Sequence, residues 1–239
     1  MIGMRQWRMM AAAGLAVLAA GAAWAQEGGG ETGGRSLEAL FLAGGFLMWP
    51  ILLCSVVMVA FVFERWAGLR RGRVFPEKLR GALLDLAREG RLEEARERCR
   101  ASRSAFARLV AGGLARAESG GFEMEEGLEA EGARILYNLR GNCKPLSVVA
   151  DVAPLLGLMG TVTGMIKAFD VVAKSNALGR TELLAEGISE ALLTTAFGLM
   201  VAVPSVIAYH IFRSRAENLL REMEDAALGI LNAMRRGMK

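Results

Sequence analysis

The sequence predicts an all-α membrane protein, with three transmembrane helices, a helical cytoplasmic domain, and extended helices continuing from the membrane. Three observations lead there. Of 239 residues, 53% are apolar and 23% charged, with a mean hydropathy of +0.32, on the apolar side of ordinary soluble chains. Three charge-poor stretches are each long enough to cross a bilayer. Cations cluster beside those stretches in a pattern that orients them. The counts of 29 Gly and 5 Pro are ordinary, which excludes collagen-like and Pro/Gly-rich disordered classes. One His and three scattered Cys leave little material for a metal centre, so no metal and no cofactor are expected.

From the N-terminus, Arg5 and Arg8 precede the apolar stretch Met9 to Ala23, which ends in Ala23-Trp24-Ala25 before the polar Gln26-Glu27. This is the pattern of a signal peptide over 1–25, cleaved after Ala25; the alternative is an uncleaved anchor, for which the stretch is short against the ~20 residues a span requires. Residues 26–38, rich in Gly and Glu, read as a flexible extracytoplasmic leader.

Residues 39–63 then form 25 positions without charge, residues 145–166 form 22 with only Asp151, and residues 191–212 form 22 without Asp, Glu, Lys or Arg. At ~1.5 Å rise per residue, each spans ~30 Å of hydrocarbon. Between Glu64 and Lys144 lie 17 Lys and Arg against 13 Asp and Glu, with Arg65, Arg70, Arg71 and Arg73 next to the first span. Positive residues stay inside. Residues 64–144 are therefore read as cytoplasmic, 167–190 as a short periplasmic connection leading into the third helix, and 213–239 as a cytoplasmic C-terminal helix. The mature N-terminus lies outside in this reading. Basic flanks also account for the sequence pI near 9.2, and no nucleic-acid partner is expected. Cys99 and Cys143 fall on the reducing side and Cys54 within the first span, so structural disulfides are not expected.

The cytoplasmic block reads as helical throughout. Pro76 suits a first helical turn, Leu79, Leu83 and Leu86 recur at helical spacing, and Gly90 is a stop. Further helices are predicted over about Leu92 to Arg100, Ala105 to Ala117, and Glu123 to Leu139, the last with an apolar face of Leu128, Ile135 and Leu139. Their Glu/Arg-rich faces read as solvated surfaces with ion pairs one turn apart.

The second and third spans carry the informative residues. Gly160 and Gly164 are spaced for close helix packing, and Gly157, Thr161 and Gly164 share one helical face. In the third span Ala191, Thr195, Gly198 and Ala202 form a second small-residue stripe, so the two helices are expected to pair. Glu190 opens this span. A carboxylate at membrane depth is costly unless it faces protein or water, which makes it a functional candidate; at the interface it would cost little. Asp151 lies ten residues before Thr161, ~15 Å toward the cytoplasm. It reads either as the inner mouth of a polar pathway or as a cap or partner for Lys144. An intramembrane enzyme would need a nucleophile or paired acids that are not visible, and His210 reads as a boundary residue.

Two long segments, Ala153-Pro-Leu-Leu-Gly-Leu-Met-Gly-Thr-Val-Thr-Gly-Met-Ile-Lys-Ala-Phe169 and Gly187-Ile-Ser-Glu-Ala-Leu-Leu-Thr-Thr-Ala-Phe-Gly-Leu-Met-Val-Ala-Val-Pro204, resemble the core of the MotA/TolQ/ExbB proton channel family. Phe46-Leu-Met-Trp-Pro-Ile-Leu-Leu-Cys-Ser55 and Phe63-Glu-Arg65 resemble the first span of ExbB-type members. The resemblance runs from about Leu37 to Ala227. It implies a pentamer whose second and third spans line a pore around the single-pass helices of an ExbD-like dimer, each helix carrying an essential Asp. It further implies a proton-conducting stator subunit in the bacterial inner membrane, in contact with membrane lipid, that drives TonB-dependent or TonB-like transport. By motif position the family's intramembrane Glu falls on Glu190 and its two pore threonines on Thr161 and Thr195; Asp151 has no matched position. Three spans argue against a flagellar stator, and a cleaved signal peptide suits an ExbB-like member better than TolQ. A TolQ-like subunit for envelope integrity, or a membrane scaffold that conducts nothing, are the alternatives.

Overall fold

The computed structural model describes residues 41, 43–116, 121–174 and 181–237; the expected signal peptide and leader, at 1–25 and 26–38, lie outside them. Among the described residues every regular element is a helix: α1 Met48–Gly68, α2 Arg71–Val74, α3 Glu77–Arg88, α4 Leu92–Ala101, α5 Ala105–Leu114, α6 Gly121–Gly141, α7 Lys144–Lys174 and α8 Thr181–Gly237. Three helical stretches are long and apolar enough to cross a membrane, within Met48–Gly68, Glu123–Ala173 and Leu184–Arg236. The chain divides into two units, one combining residues up to Val62 with Pro145–Tyr209, the other Phe63–Lys144 with His210–Lys239.

In the apolar unit the charge-free stretch is not one continuous helix: Phe41 and Ala43 are helical, and a turn separates them from α1. The chain turns at Gly44 to Leu47, and α1 opens only at Met48. Gly45 has φ +69, in the left-handed region that a side chain disfavours, so two consecutive glycines break what the uncharged stretch reads as one helix. Beyond the break, Trp49, Leu53 and Val56 point outward as exposed apolar side chains, as do Leu155, Leu158, Ile166, Phe169 and Leu192 on α7 and α8. Apolar exposure on this scale is what a lipid or protein surround covers.

α7 and α8 are antiparallel and close-packed. On α7, Ala153, Gly157, Gly160, Gly164 and Ala168 are all buried; on α8, Gly187, Ala191, Thr194, Gly198, Ala202 and Ser205 are buried in turn. These positions recur every three or four residues, the repeat of one helical face. α7 runs eight residues past Ile166 and α8 begins ten before Ala191, so much of the 167–190 connection is helical. The reason lies in the same stripes: Ala168 and Gly187 extend the small-residue contact beyond the apolar segments. Pro154 and Pro204 sit inside these helices, with all peptide bonds trans.

In the polar unit the helices pack around one apolar core. Leu83 and Ala87 of α3, Ala95 and Cys99 of α4, Phe106, Leu109, Val110 and Leu114 of α5, and Met124, Leu128 and Ile135 of α6 are buried in it. Leu79, Leu86 and Leu139 are partly buried at its edge. The C-terminal part of α8 supplies Leu220, Met223, Ala227, Ile230, Leu231 and Met234 at helical spacing. Each fully buried Leu, Ile or Met contributes roughly 1.5–3 kcal/mol, which fixes that part of α8 as core. Phe75 enters the core through the short α2, unforeseen from the sequence, and meets Phe106 edge-on at 4.7 Å between ring centroids. α3 ends on Gly90, whose φ of +72 lets the Arg91 amide donate to Leu86 O at 3.1 Å and the Gly90 amide to Ala87 O. Ser104 caps α5, its Oγ accepting from the Ala107 amide at 3.2 Å. α5 stops at Leu114, three residues short of the predicted end.

Polar contacts lie around this core. Arg140 on α6 donates to Glu217 on α8 at 2.6 Å, and Arg213 donates to the same carboxylate at 3.2 Å. Those two guanidiniums hold the Glu217 carboxyl below its ordinary range. Glu224 is shifted upward, first by burial and then by Asp225 and Glu129. Cys54, Cys99 and Cys143 are free thiols. Burial pushes Cys99 up to about 11 and raises Cys143 as well.

Candidate functional site

The α7–α8 contact is built from missing side chains. A Cβ at Gly157 would lie 3.0 Å from the Cα of Thr195, one at Gly164 2.9 Å from Gly187 O, and one at Gly198 2.7 Å from Ala153 O. A Cβ at Gly160 would overlap the Thr194 hydroxyl. Backbone against backbone at such range leaves room for hydroxyls alone, and the helices use them. Thr195 Oγ1 donates across the contact to Gly157 O at 3.0 Å, a bond between helices. Such bonds are worth roughly 0.6 kcal/mol on average inside membranes, up to ~1.7.

The sequence-predicted residues fall into place unevenly. Gly157, Gly160, Gly164, Ala191, Gly198 and Ala202 all lie buried on the facing stripes. Thr161 lies at the margin, half-buried. Its hydroxyl donates to Leu158 O of its own helix at 2.7 Å, and it borders an open apolar recess with Val162, Met165, Ile166 and Phe169. Thr161 and Thr195 thus spend their protons on two different carbonyls, leaving lone pairs to accept. The centre of the contact belongs to Thr194, which is 1% exposed and donates to Ala191 O at 2.9 Å and Glu190 O at 3.1 Å. The family resemblance assigns the pore position to Thr195 and not to Thr194, and residues ~100° apart on a helix are hard to rank from spacing alone.

Glu190 stands at one end of this contact. Its side chain is 19% exposed, and Oε1 accepts a hydrogen bond and ion pair from Lys167 Nζ on α7 at 2.6 Å. The same Oε1 occupies the space that a side chain at Gly45 would need. Three stretches therefore converge on the carboxylate: the turn before α1, α7 and α8. Neither Lys167 nor Gly45 stands out in the sequence, the first lying in the 167–190 connection and the second inside the uncharged stretch 39–63. Asp151 is exposed and lies two turns into α7, too deep to be its N-cap. It stands well apart from Glu190 in sequence and shares no bond with it. Among the described residues no group of three or more His, Cys, Asp or Glu could hold a metal ion.

Three apolar helices, two of them sealed on glycine with hydroxyls in the contact and a carboxylate beside it, define a helical membrane protein with polar groups built into a helix pair. Residues 101–225 match the MotA/TolQ/ExbB proton channel family. A putative biopolymer transport protein, ExbB-like 1, of Synechocystis is 31% identical over 181 residues, covering 73% of this chain and 69% of its own length. Biopolymer transport protein exbB1 of Vibrio cholerae is 29% identical, covering 85% of this chain and 90% of its own. The Tol-Pal system protein TolQ of Haemophilus influenzae is 44% identical over 78 residues, about a third of each chain. The chain belongs to the MotA/TolQ/ExbB proton channel family, a family of channels rather than of enzymes.

Proposed function

We propose that the chain is the proton-conducting stator subunit of an ExbB–ExbD-type motor in the bacterial inner membrane, coupling the proton-motive force to TonB-dependent or TonB-like outer-membrane transport. The observation that carries this reading is Glu190, a carboxylate set at the end of a glycine-sealed helix pair in a member of a proton channel family. The mature N-terminus is periplasmic and the C-terminus cytoplasmic, following the cation bias of the flanks. Five copies gather around the single-pass helices of an ExbD-like partner, with Thr161, Thr195 and Glu190 facing the pore and Asp151 nearer its cytoplasmic end. An aspartate on the partner helix, desolvated in the pore, gains and loses a proton as it turns. Hydroxyls on the wall follow that change because each can accept or donate.

The test is Glu190→Ala in cells that depend on this chain for energised uptake: the complex still assembles with its partner and uptake is lost. Full uptake by Glu190→Ala excludes Glu190 from the mechanism and leaves a non-conducting scaffold as the better account. A TolQ-like role in envelope integrity is the second reading, favoured by the 44% identity to TolQ over 78 residues. Complementation separates the two, because a TolQ-like subunit restores detergent resistance to a strain lacking TolQ and an ExbB-like one restores energised uptake to a strain lacking ExbB.

A further inference from the structure

We infer that Lys167 and Gly45 are positioning residues for Glu190, together forming a seat that fixes its carboxylate between α7, α8 and the turn before α1. The inference rests on the proposed proton-conducting role of Glu190 and names what prepares that residue for it. Three geometric facts support the seat. Lys167 Nζ bonds Glu190 Oε1 at 2.6 Å across the helix pair, from a position 23 residues away in sequence. The carboxylate is only 19% exposed and the lysine 57%, so the ammonium reaches in from outside and covers the acid. Gly45 favours glycine on two counts, since φ +69 disfavours a side chain and a Cβ there would displace Oε1 from its place.

The backbone around the seat is as constrained as the side chains. Gly164 and Gly187 bring α7 and α8 together one turn away, with a Cβ at Gly187 falling 2.8 Å from the Ala168 Cβ. Thr194 bonds the Glu190 carbonyl at 3.1 Å and so fixes the backbone that carries the acid. Other charges within one turn are Asp170 on α7 and Glu186 on α8, while residues 43–47 add none. The Glu190 carboxylate, only 19% exposed, is held by the cation bonded to it, Lys167. Removing Lys167 leaves the largely buried Glu190 carboxylate without its cation.

Two measurements test the seat. In vesicles containing the chain co-purified with its single-pass partner, Lys167→Met is expected to lower voltage-driven proton flux at least tenfold. Lys167→Arg, which keeps the cation, is expected to stay within about threefold of wild type. Equal flux in wild type and Lys167→Met overturns the inference, as does an equal loss in the Met and Arg variants. The second measurement needs no conduction: thermal unfolding of the purified chain for Lys167→Met, Glu190→Gln and the double variant. Coupled residues give a double variant whose loss is clearly smaller than the sum of the singles, whereas simple additivity overturns the seat. A wild-type complex that assembles and passes no protons sinks the proton-channel reading instead, and the unfolding cycle still decides whether Lys167 holds Glu190. Gly45→Ala is expected to lower flux as Lys167→Met does, and wild-type flux in that variant removes the turn from the seat.

Discussion

Adding one methyl group to α8 at Gly198 should weaken the protein, while adding the same group at Gly229 should not. At Gly198 the new Cβ lies 2.7 Å from Ala153 O and 3.1 Å from the Cα of Gly157, both backbone atoms that no rotamer change can move. Carbon pairs prefer ~3.5–4.0 Å, so the two helices must part by about 0.4–0.9 Å at that point. Overpacking of this kind typically costs about 1–3 kcal/mol. At Gly229 nothing lies within 4 Å of the added carbon. Both sites are inside one continuous helix, so the gain of about 0.8–1.0 kcal/mol for replacing glycine by alanine is common to both and cancels in the comparison. The difference isolates the steric penalty. With ~2–4 °C per kcal/mol for chains of this size, Gly198→Ala should unfold roughly 2–12 °C below Gly229→Ala in the same detergent. Equal midpoints, or a lower one for Gly229→Ala, would refute the claim that α7 and α8 meet backbone to backbone at Gly198.

Thr195→Val keeps the shape and removes the bond to Gly157 O, so it should lower stability by roughly 0.6–1.7 kcal/mol while Thr195→Ser stays near wild type; indistinguishable midpoints for Val and wild type would remove the bond from the account. Cys99, buried and pushed up to about 11, holds a thiolate fraction on the order of a thousandth at pH 8. Maleimide should therefore leave it unmodified in the folded chain and label it at once in denaturant, and rapid labelling of the folded chain would contradict the packed core. Glu217 sits below its ordinary range because of Arg140 and Arg213, so its stabilisation is present above the unfolded carboxylate value of ~4.3 and fades as pH falls through the folded one. The pair is exposed to solvent, so Glu217→Gln should cost only about 0.2–1 kcal/mol at pH 7 and progressively less as pH falls below the unfolded value; a cost independent of pH would assign it to packing.

The fold could be read in the sequence wherever a local rule governs. Pro76 and Gly90 bracket α3 because each acts on its own φ, and the leucine spacing of α6 points Leu128 and Ile135 into the core. The break at Gly44–Gly45 is not legible in the sequence because an uncharged stretch gives no reason to stop a helix, whereas the Glu190 carboxylate, distant in sequence, occupies the space beside Gly45. The lengths of α7 and α8 were hidden in the same way, since charged residues mark the edge of an apolar segment and say nothing about where a helix ends. α2 is a single turn with no period to detect, and Phe75 is buried by residues far along the chain. Within the candidate site, the glycines and Glu190 stand out by type and spacing. Lys167 and Thr194 do not: the first is identified by a partner 23 residues away, and the second by an interhelical register that spacing leaves free by one residue.

Proton movement itself is the most direct test. Sealed vesicles carrying the chain with its single-pass partner, loaded with a pH-sensitive dye and given an imposed potential, should acidify inside, and vesicles carrying Glu190→Ala in the same assembled complex should not. Acidification at equal rates in both, or none in either, would contradict a proton path that runs past Glu190.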